Sequence, residues 1–441
     1  MTRRIVILGA GESGTGAAIL AKSKGFETFV SDSSSIKNNY KDELNKYNIE
    51  WEEGTHSINR ILNANEIIKS PGIPDTAPII QQVKDKDIPV ISEIEFAGRY
   101  SNAKMICITG SNGKTTTTSL LYHMFHKAGK NVGLAGNIGK SLARQVAEEN
   151  HEFYIIELSS FQLDNMYNFK ADIAILLNIT PDHLDRYDNC MDKYIDAKFR
   201  IIQNQTDKDH FIYWSDDPIL KEQINHRTIH ATKNPFSVEH SDFTYKLGNK
   251  IILDGGNLSI DKEFVKLSGV HNLYNTMAAI TAAYLSKLSP MEIEQGLNSF
   301  NGVEHRLEYV DTIHGVRFIN DSKATNVDSC WYALQAMHNS TILILGGKDK
   351  GNDYNKITPL IKEKCTGLVF LGANNTKLHQ FFDGFNIPIE DTNNMTDAVV
   401  KAKGLAKSGD TVLLSPCCAS FDLFTSYENR GELFKQSVKS L

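Results

Sequence analysis

The stretch VILGAGESG, residues 6–14, decides how the opening segment of the chain folds. Gly9, Gly11 and Gly14 spell G-x-G-x-x-G straight after a short apolar run. In a strand–turn–helix unit the first glycine permits the tight turn. The second lets a phosphate approach the backbone, and the third allows close packing of helix on strand. Asp32 closes the next apolar run, at the distance where such folds meet a ribose or a base edge. The pattern is the fingerprint of nicotinamide and flavin dinucleotide sites, but it does not name its ligand. A plain strand–helix turn is the alternative. Around it RIVIL, ETFVSD and EIIKSPG alternate with helical stretches, the first over residues 14–24. This predicts a βαβ domain with a parallel sheet, running to about Glu93.

At about 150 residues per domain, 441 residues suggest three. The net charge of −6 is mild and speaks against a broad nucleic-acid footprint. Anionic ligands must then be met by local devices such as helix N-termini and single basic side chains. The six cysteines include no C-x-x-C pair, and Cys417 and Cys418 are adjacent, a poor geometry for a disulfide. Reduced thiols in a cytoplasmic protein are expected. No run of about 18 apolar residues could span a membrane. The start, MTRRIVILGAG, is too short and too glycine-rich for a signal peptide and reads as a first strand.

In the second segment KMICITG leads through glycine into the helix SNGKTTTTSLLYHMFHKAG. The loop holds Gly110, Ser111, Asn112, Gly113, Lys114, Thr115 and Thr116 and resembles a P-loop. The usual spacing would put the first glycine at Ile108, but the mechanics survive. Backbone N–H groups and the helix N-terminus cradle phosphates, Lys114 reaches the β/γ-phosphates, and Thr115 can ligate Mg²⁺. A helix merely capped by Ser111 or Asn112 leaves that lysine unexplained. In FYIIELSSFQL, Glu157 ends an apolar strand, where a lone carboxylate costs about 3 to 5 kcal/mol. A metal ligand is favoured there over a salt bridge at a sheet edge. NITPDHLDRY sets Asp182, His183 and Asp185 just beyond another strand, where α/β proteins bind ligands. Lys198, on the helical stretch MDKYIDAKFRII, reads on its own as a solvated surface lysine. FTYKLGNKIILDGG predicts an antiparallel hairpin added at a sheet edge. His271, Asn272 and Asn275 crowd the start of a further helix, more polar groups than capping needs.

The third segment begins near Val303. TILILGG, GLVFLG and TVLLSP read as strands, with amphipathic stretches such as MTDAVVKAKGLAKSG between them. Arg306, Asp321, Lys323 and Thr325 cluster beside a strand, which suggests phosphate or ribose contacts. LGGKDKGNDY and LSPCCASFD are two further strand-end loops.

Taken in order, GSNGKTT, ELSSFQL, NITPDHLDRY, AKFRI, HNLYN, EHRLE and NDSKATN resemble the Mur ligases, ATP-dependent amide-bond-forming enzymes of peptidoglycan synthesis. The likeness covers nearly the whole chain. VILGAGESG with SPGIP, and LSPCCASFDLFTSYENRGELF, point within the family to the step that adds D-glutamate. The ligase of the next step, which adds a diamino acid, is less similar, since a DNPR loop is missing. The resemblance implies an α/β chain of three domains. These are a Rossmann-like UDP-binding domain (1–92), a central P-loop ATPase-type domain with a parallel sheet and a small antiparallel sheet (93–302), and a Rossmann-like C-terminal domain (303–441). The last binds D-glutamate and completes the ATP site.

On this resemblance the glycine turn holds the diphosphate of UDP through Ser13 and Gly14. Asp32 and Ser33 lie on the uracil side, with Ser70 and Gly72 nearby. Asn137, Gln162 and His183 position the muramoyl–alanyl arm. The phosphate loop, 110–116, with Asn272, Asn275, Arg306 and Asp321, grips ATP. Thr115 and Glu157 hold one Mg²⁺, and His183 holds a second with Lys198, which must be carbamylated to serve as a ligand. Lys323, Thr325, Lys350, Ser420, Phe421 and Tyr427 take D-glutamate. Lys348 is a second lysine in the GGKDKG loop and competes with Lys350 for that role, and Tyr427 stands where phenylalanine is the family's choice. The implied catalytic set is Lys114, Glu157, His183, Lys198 and Lys323. The implied substrates are ATP, UDP-N-acetylmuramoyl-L-alanine and D-glutamate, for a cytoplasmic monomer that binds no nucleic acid or membrane. Another Mur-type or a folylpolyglutamate-type ligase is the alternative, and an NAD-dependent oxidoreductase the distant one.

Overall fold

The computed structural model describes residues 3–182, 184–267, 269–349 and 351–441. Three sheets organise them. The first contains β1 (Arg4–Leu8), β2 (Glu27–Asp32), β3 (Glu50–Glu53), β4 (Glu66–Lys69) and β5 (Val90–Ile91), all parallel, in the order β3-β2-β1-β4-β5. The run RIVIL forms β1 because both of its faces are covered. Ile5 and Ile7 enter one apolar cluster with Ala17–Ala21 of the helix Glu12–Ser23. Val6 and Leu8 enter another with Ile61, Ile79, Ile80 and Val83. The strand order reverses at β1, so the glycine turn after it sits at the switch point where doubly wound sheets bind ligands.

The second sheet has nine strands, β6 (Lys104–Thr109), β7 (Val132–Gly136), β8 (Phe153–Glu157), β9 (Ile173–Leu176), β10 (His210–Trp214), β11 (Thr232–Ser237), β12 (Thr244–Leu247), β13 (Lys250–Leu253) and β14 (Leu258–Asp261). Their order is β14-β13-β12-β11-β10-β9-β6-β8-β7, with β6 between β8 and β9. The expected hairpin is present and gains a third strand, since β12, β13 and β14 form an antiparallel extension of the parallel part. The first two sheets share one compact unit, made of Met1–Val265 and Tyr274–Phe300. Inside it the helix Glu12–Ser23 packs on Leu142–Glu148, so closely that a Cβ at Gly16 would overlap the Ser141 hydroxyl. Arg144 pairs there with Glu12 and Glu43.

The second unit is Lys266–Leu273 with Asn301–Leu441. It carries β15 (Glu308–Ile313), β16 (Val316–Asn320), β17 (Thr341–Gly346), β18 (Cys365–Leu371), β19 (Ile389–Thr392) and β20 (Thr411–Cys417), in the order β15-β16-β20-β17-β18-β19. Only β15 runs antiparallel. Alternate residues of β17 again serve two cores, Leu343 and Leu345 one, Ile342 and Ile344 the other. Among the described residues no helix is long and apolar enough to cross a membrane, and all six cysteines are free.

Candidate active site

At the switch point of the first sheet the glycines act through space as much as through conformation. Gly9 adopts φ +91°, and a Cβ there would press on the Ser70 side chain. A Cβ at Gly14 would overlap the carbonyl oxygen of Gly9. Gly11 has open space on that side, as a residue facing an incoming ligand needs. Asp32 holds the turn together: its carboxylate accepts from the Ala10 N–H at 2.8 Å and from the Ser34 N–H at 2.9 Å. The helix begins at Glu12, with Ser13 half-buried in its first turn. Ser33 and Gly72 are exposed. Ser70 follows β4, with its N–H bonded to the Leu8 carbonyl.

The phosphate loop is held by the chain that follows the neighbouring strand β9. After β9, Asn178 accepts from the Asn112 N–H and donates back to the Asn112 carbonyl. The Ser111 N–H donates to the Asn178 carbonyl. Thr180 receives the Ser111 hydroxyl at 2.8 Å and returns its own N–H at 2.9 Å, while the Tyr194 hydroxyl lies 3.0 Å away. Neither Ser111 nor Asn112 caps the helix Lys114–Lys127. The capping position is Gly113, left-handed at φ +85°, with no side-chain cap. It must be glycine, since a Cβ would overlap the Asn275 side-chain oxygen. Thr115 and Thr116 are buried in the first turn. The Lys114 ammonium curls over the loop and donates to the carbonyls of Gly110 and Ser111 at 2.8 and 2.9 Å.

Beside the loop, Glu157 ends an interior strand, not a sheet edge, and is 1% exposed. One carboxylate oxygen accepts from the Asn137 amide at 2.7 Å. The other is buried and has no hydrogen-bond partner among the described residues. Such an oxygen is costly unless a cation takes it. With the Thr115 hydroxyl it fits the all-oxygen preference of Mg²⁺. Gln162 commits its side-chain oxygen to capping the short helix Ser160–Leu163.

Lys198 corrects the solvated reading. Packing of the helix Met191–Phe199 leaves it 1% exposed. Its amine donates to the Gly110 carbonyl at 2.9 Å and lies 4.6 Å from the centre of the Tyr194 ring. Burial, reinforced by the charge of Lys114, pushes its pKa well below the ordinary lysine value. His183 lies outside the described residues. Its neighbour Arg186 stacks on Phe161 and reaches the carbonyl of Pro71 at 3.4 Å, which ties this loop to the SPG turn.

In the second unit the same logic recurs at the carboxyl ends of β16, β17 and β20. Asp321, after β16, is 1% exposed. It accepts from the Ser415 hydroxyl at 2.9 Å and the Leu307 N–H at 3.2 Å. Burial raises its pKa to about 6, against the pull of Arg306. Asn272 and Arg306 line a cavity of about 620 Å³ that also meets Lys266, Tyr309 and Arg317. His271 beside them packs on Tyr332, and burial followed by the charge of Arg306 lowers its pKa to about 4. Lys323 lies over the Tyr427 ring at 5.0 Å. Thr325 is half-buried, Ser420 is buried and Phe421 is 68% exposed. Lys348 is exposed, with its backbone N–H tied to the Ala419 carbonyl. Lys350 lies outside the described residues.

Several residues that shape these loops were not singled out in the sequence: Asn178, Thr180, Tyr194, Arg186, Ser322 and Arg430. Asn178 and Thr180 sit inside NITPDHLDRY and were readable from their place after a strand. Ser322 sits inside NDSKATN in the same way, whereas nothing local marks Tyr194.

Comparison with known proteins defines the class. Residues 3–92 match the family model described as Mur ligase MurD-like, N-terminal domain. Residues 108–283 match Mur ligase middle domain, and residues 305–418 match Mur ligase, glutamate ligase domain. The chain belongs to the Mur ligase family. It is 62% identical to the UDP-N-acetylmuramoylalanine--D-glutamate ligase of Bacteroides thetaiotaomicron, with all of both chains covered. It is 55% identical to the protein of that name in Porphyromonas gingivalis, over 99% of this chain and 98% of the other. Solved structures share the fold. The UDP-N-acetylmuramate-alanine ligase of Thermotoga maritima superposes with a TM-score of 0.65 at 16% identity, over 99% of each chain. The MurF ligase of the same organism, solved in complex with ADP, gives 0.62 at 14%, over 100% of this chain and 98% of that one.

Proposed function

We propose that the chain joins D-glutamate to UDP-N-acetylmuramoyl-L-alanine, driven by ATP, as a step in making the peptidoglycan precursor. The observation that carries the mechanism is the buried, unpartnered oxygen of Glu157 beside a lysine-bearing phosphate loop. The first reaction is transfer of the γ-phosphoryl group of ATP to the alanyl carboxylate. Two anions must approach, so positive charge at the loop decides the rate. Lys114 and the N-terminus of its helix supply part of it. Bound Mg²⁺ would supply Lewis acidity and charge neutralisation, one ion on Thr115 and Glu157, the other on His183 and Lys198. Asn272, Asn275, Arg306 and Asp321 are assigned to ATP. In the second reaction the amine of D-glutamate attacks the acyl carbon, and the C–O bond to phosphate breaks. Lys323, Thr325, Ser420, Phe421, Tyr427 and either Lys348 or Lys350 are assigned to that amino acid. Ser13, Gly14, Asp32, Ser33, Ser70 and Gly72 are assigned to the UDP end, with Asn137, Gln162 and His183 on the muramoyl–alanyl arm.

A protonated Lys198 would repel Mg²⁺. Its burial favours the neutral amine, which can attack CO₂, release a proton and become a carbamate, an oxygen ligand suited to a hard cation. Labelled bicarbonate should give a carbamate ¹³C signal that Lys198→Ala removes. Added short carboxylates should restore part of that variant's activity. Rescue by alkylamines alone would contradict the carbamate. ATP and UDP-activated sugars are cytosolic compounds, so the reading puts the chain in the cytoplasm, where free thiols stay reduced. A monomer suffices for it. Phosphate release with UDP-N-acetylmuramoyl-L-alanine and ATP should require D-glutamate and fail with L-glutamate, lysine or no acceptor. Equal turnover with lysine would overturn the assignment.

A further inference from the structure

Arg430 is buried in the helix Tyr427–Lys439, 1% exposed, and among the described residues no carboxylate makes a salt bridge with it. It spends its fork on Ser322 and Cys418 instead. Nε donates to the Ser322 hydroxyl at 3.0 Å, and one terminal nitrogen to the Ser322 carbonyl at 2.8 Å. Both terminal nitrogens reach the Cys418 carbonyl, at 3.1 and 3.2 Å. Ser322 in turn donates its hydroxyl to the Tyr427 carbonyl at 2.8 Å. Next to Cys418, the Ala419 carbonyl accepts from the Lys348 N–H at 2.9 Å. A Cβ at Gly347 would overlap that carbonyl and come within 3.3 Å of the guanidinium. One side chain therefore joins the loop after β16, the loop after β20 and the start of the last helix, and borders the loop after β17.

These loops present Lys323, one residue from Ser322, and Ser420, two from Cys418, while Tyr427 and Lys348 are tied in through their own backbone. Burying a guanidinium without a direct salt bridge is costly even with Asp422 and Asp321 attracting it through space, and burial lowers its pKa to about 10, so it remains charged at neutral pH. A planar fork with five donors can bridge carbonyls of separate loops, which an ammonium cannot match. Asp321 is one residue before Ser322 but has its own anchors. Its N–H donates to the Leu414 carbonyl, and its carboxylate accepts from Ser415 and Leu307. The hydrogen-bonded bridge therefore reaches the Lys323 side of the loop directly and touches Asp321 only through charge.

We propose that Arg430 is the positioning residue of the amino-acid subsite, setting the spacing of the loops that carry Lys323, Ser420 and Tyr427. The proposal rests on the assignment of those residues to D-glutamate. Arg430→Lys and Arg430→Ala are compared with the wild type in full steady-state kinetics. Thermal midpoints and hydroxylamine trapping of the acyl phosphate in the absence of amino acid are measured alongside. Displacing the loops by about 1 Å should cost on the order of 100-fold in kcat/KM for D-glutamate in Arg430→Ala. KM for ATP and for the UDP substrate, and acyl-phosphate trapping, should stay near wild type. Guanidinium should recover part of the loss in Arg430→Ala, and methylammonium should not. Arg430→Lys keeps the charge and should still show a raised KM for D-glutamate. A wild-type KM in Arg430→Lys would overturn the proposal, as would a parallel rise in all three KM values with a lowered melting temperature. Failure of the wild type to use D-glutamate would instead overturn the substrate assignment. The Arg430 variants would then be read with the acceptor that the wild type does use.

Discussion

The helices Glu12–Ser23 and Lys114–Lys127 both start at the carboxyl end of a parallel strand, and both have glycine at the capping position. Their surroundings treat charge in opposite ways. At the first turn the Asp32 carboxylate is consumed by two backbone N–H groups and stiffens the loop, and Glu12 is paired with Arg144. At the second, Lys114 and the buried Lys198 share the Gly110 carbonyl, and Glu157 keeps one oxygen without a partner among the described residues. A pre-formed, electrostatically settled turn suits a ligand that is held and never changed. A loop that gathers two lysines beside a buried carboxylate suits a ligand whose charge is rearranged, because its groups gain most when phosphate and cation arrive. On the proposed function, the two similar glycine turns divide binding from chemistry.

The largest expected effect breaks the second turn alone. Lys114→Ala should reduce phosphate release by about 1,000-fold or more, in a coupled phosphate assay. Removing the first turn's close packing is the reciprocal test. In Gly14→Ala the new Cβ meets the Gly9 carbonyl, so overpacking should cost about 1–3 kcal/mol. Each 1.4 kcal/mol lost from the binding geometry weakens the UDP substrate about tenfold, measurable by calorimetry.

A third test addresses the seam between the two regions. Glu93 is buried there, accepting from the Ser141 hydroxyl at 2.7 Å and the Ala143 N–H at 2.5 Å. Burial, with a smaller push from Glu12, raises its pKa to about 7. A carboxyl whose folded pKa is raised destabilises the fold above that value, and the penalty fades as pH falls through 7 toward the unfolded value. Glu93→Gln should therefore stabilise the protein by about 3 kcal/mol at pH 8 and by progressively less down to pH 4.5, read from denaturant midpoints. The smallest effect is expected at the rim of the seam, where the Tyr47 hydroxyl donates to Glu148 at 2.8 Å in the open. Tyr47→Phe should change stability by at most about 0.5 kcal/mol.

The contrast between the turns was half legible in the sequence. Strands such as RIVIL, KMICITG and TVLLSP show themselves because parallel strands covered on both faces read as apolar runs. Glycines at a strand–helix junction and the lysine after Gly113 carry their geometry locally. What long-range packing decides was not legible. Lys198 sits on a helix whose pattern admits a solvated lysine, and only the approach of Gly110, 88 residues away, shows it buried. Glu157 could be read as costly to bury, but its division between Asn137 and an unpartnered oxygen depends on the neighbouring strand end. Arg430 makes its bonds to loops 12 and 108 residues distant in sequence, and no local spacing announces them.

The division of labour is tested most directly by titrating Gly14→Ala and Lys114→Ala, each with a non-hydrolysable ATP analogue plus Mg²⁺ and with UDP-N-acetylmuramoyl-L-alanine, in a calorimeter. The account predicts a double dissociation. Lys114→Ala loses the nucleotide and keeps the UDP substrate, while Gly14→Ala loses the UDP substrate and keeps the nucleotide. Loss of UDP-substrate binding in Lys114→Ala, or of nucleotide binding in a folded Gly14→Ala, would contradict it.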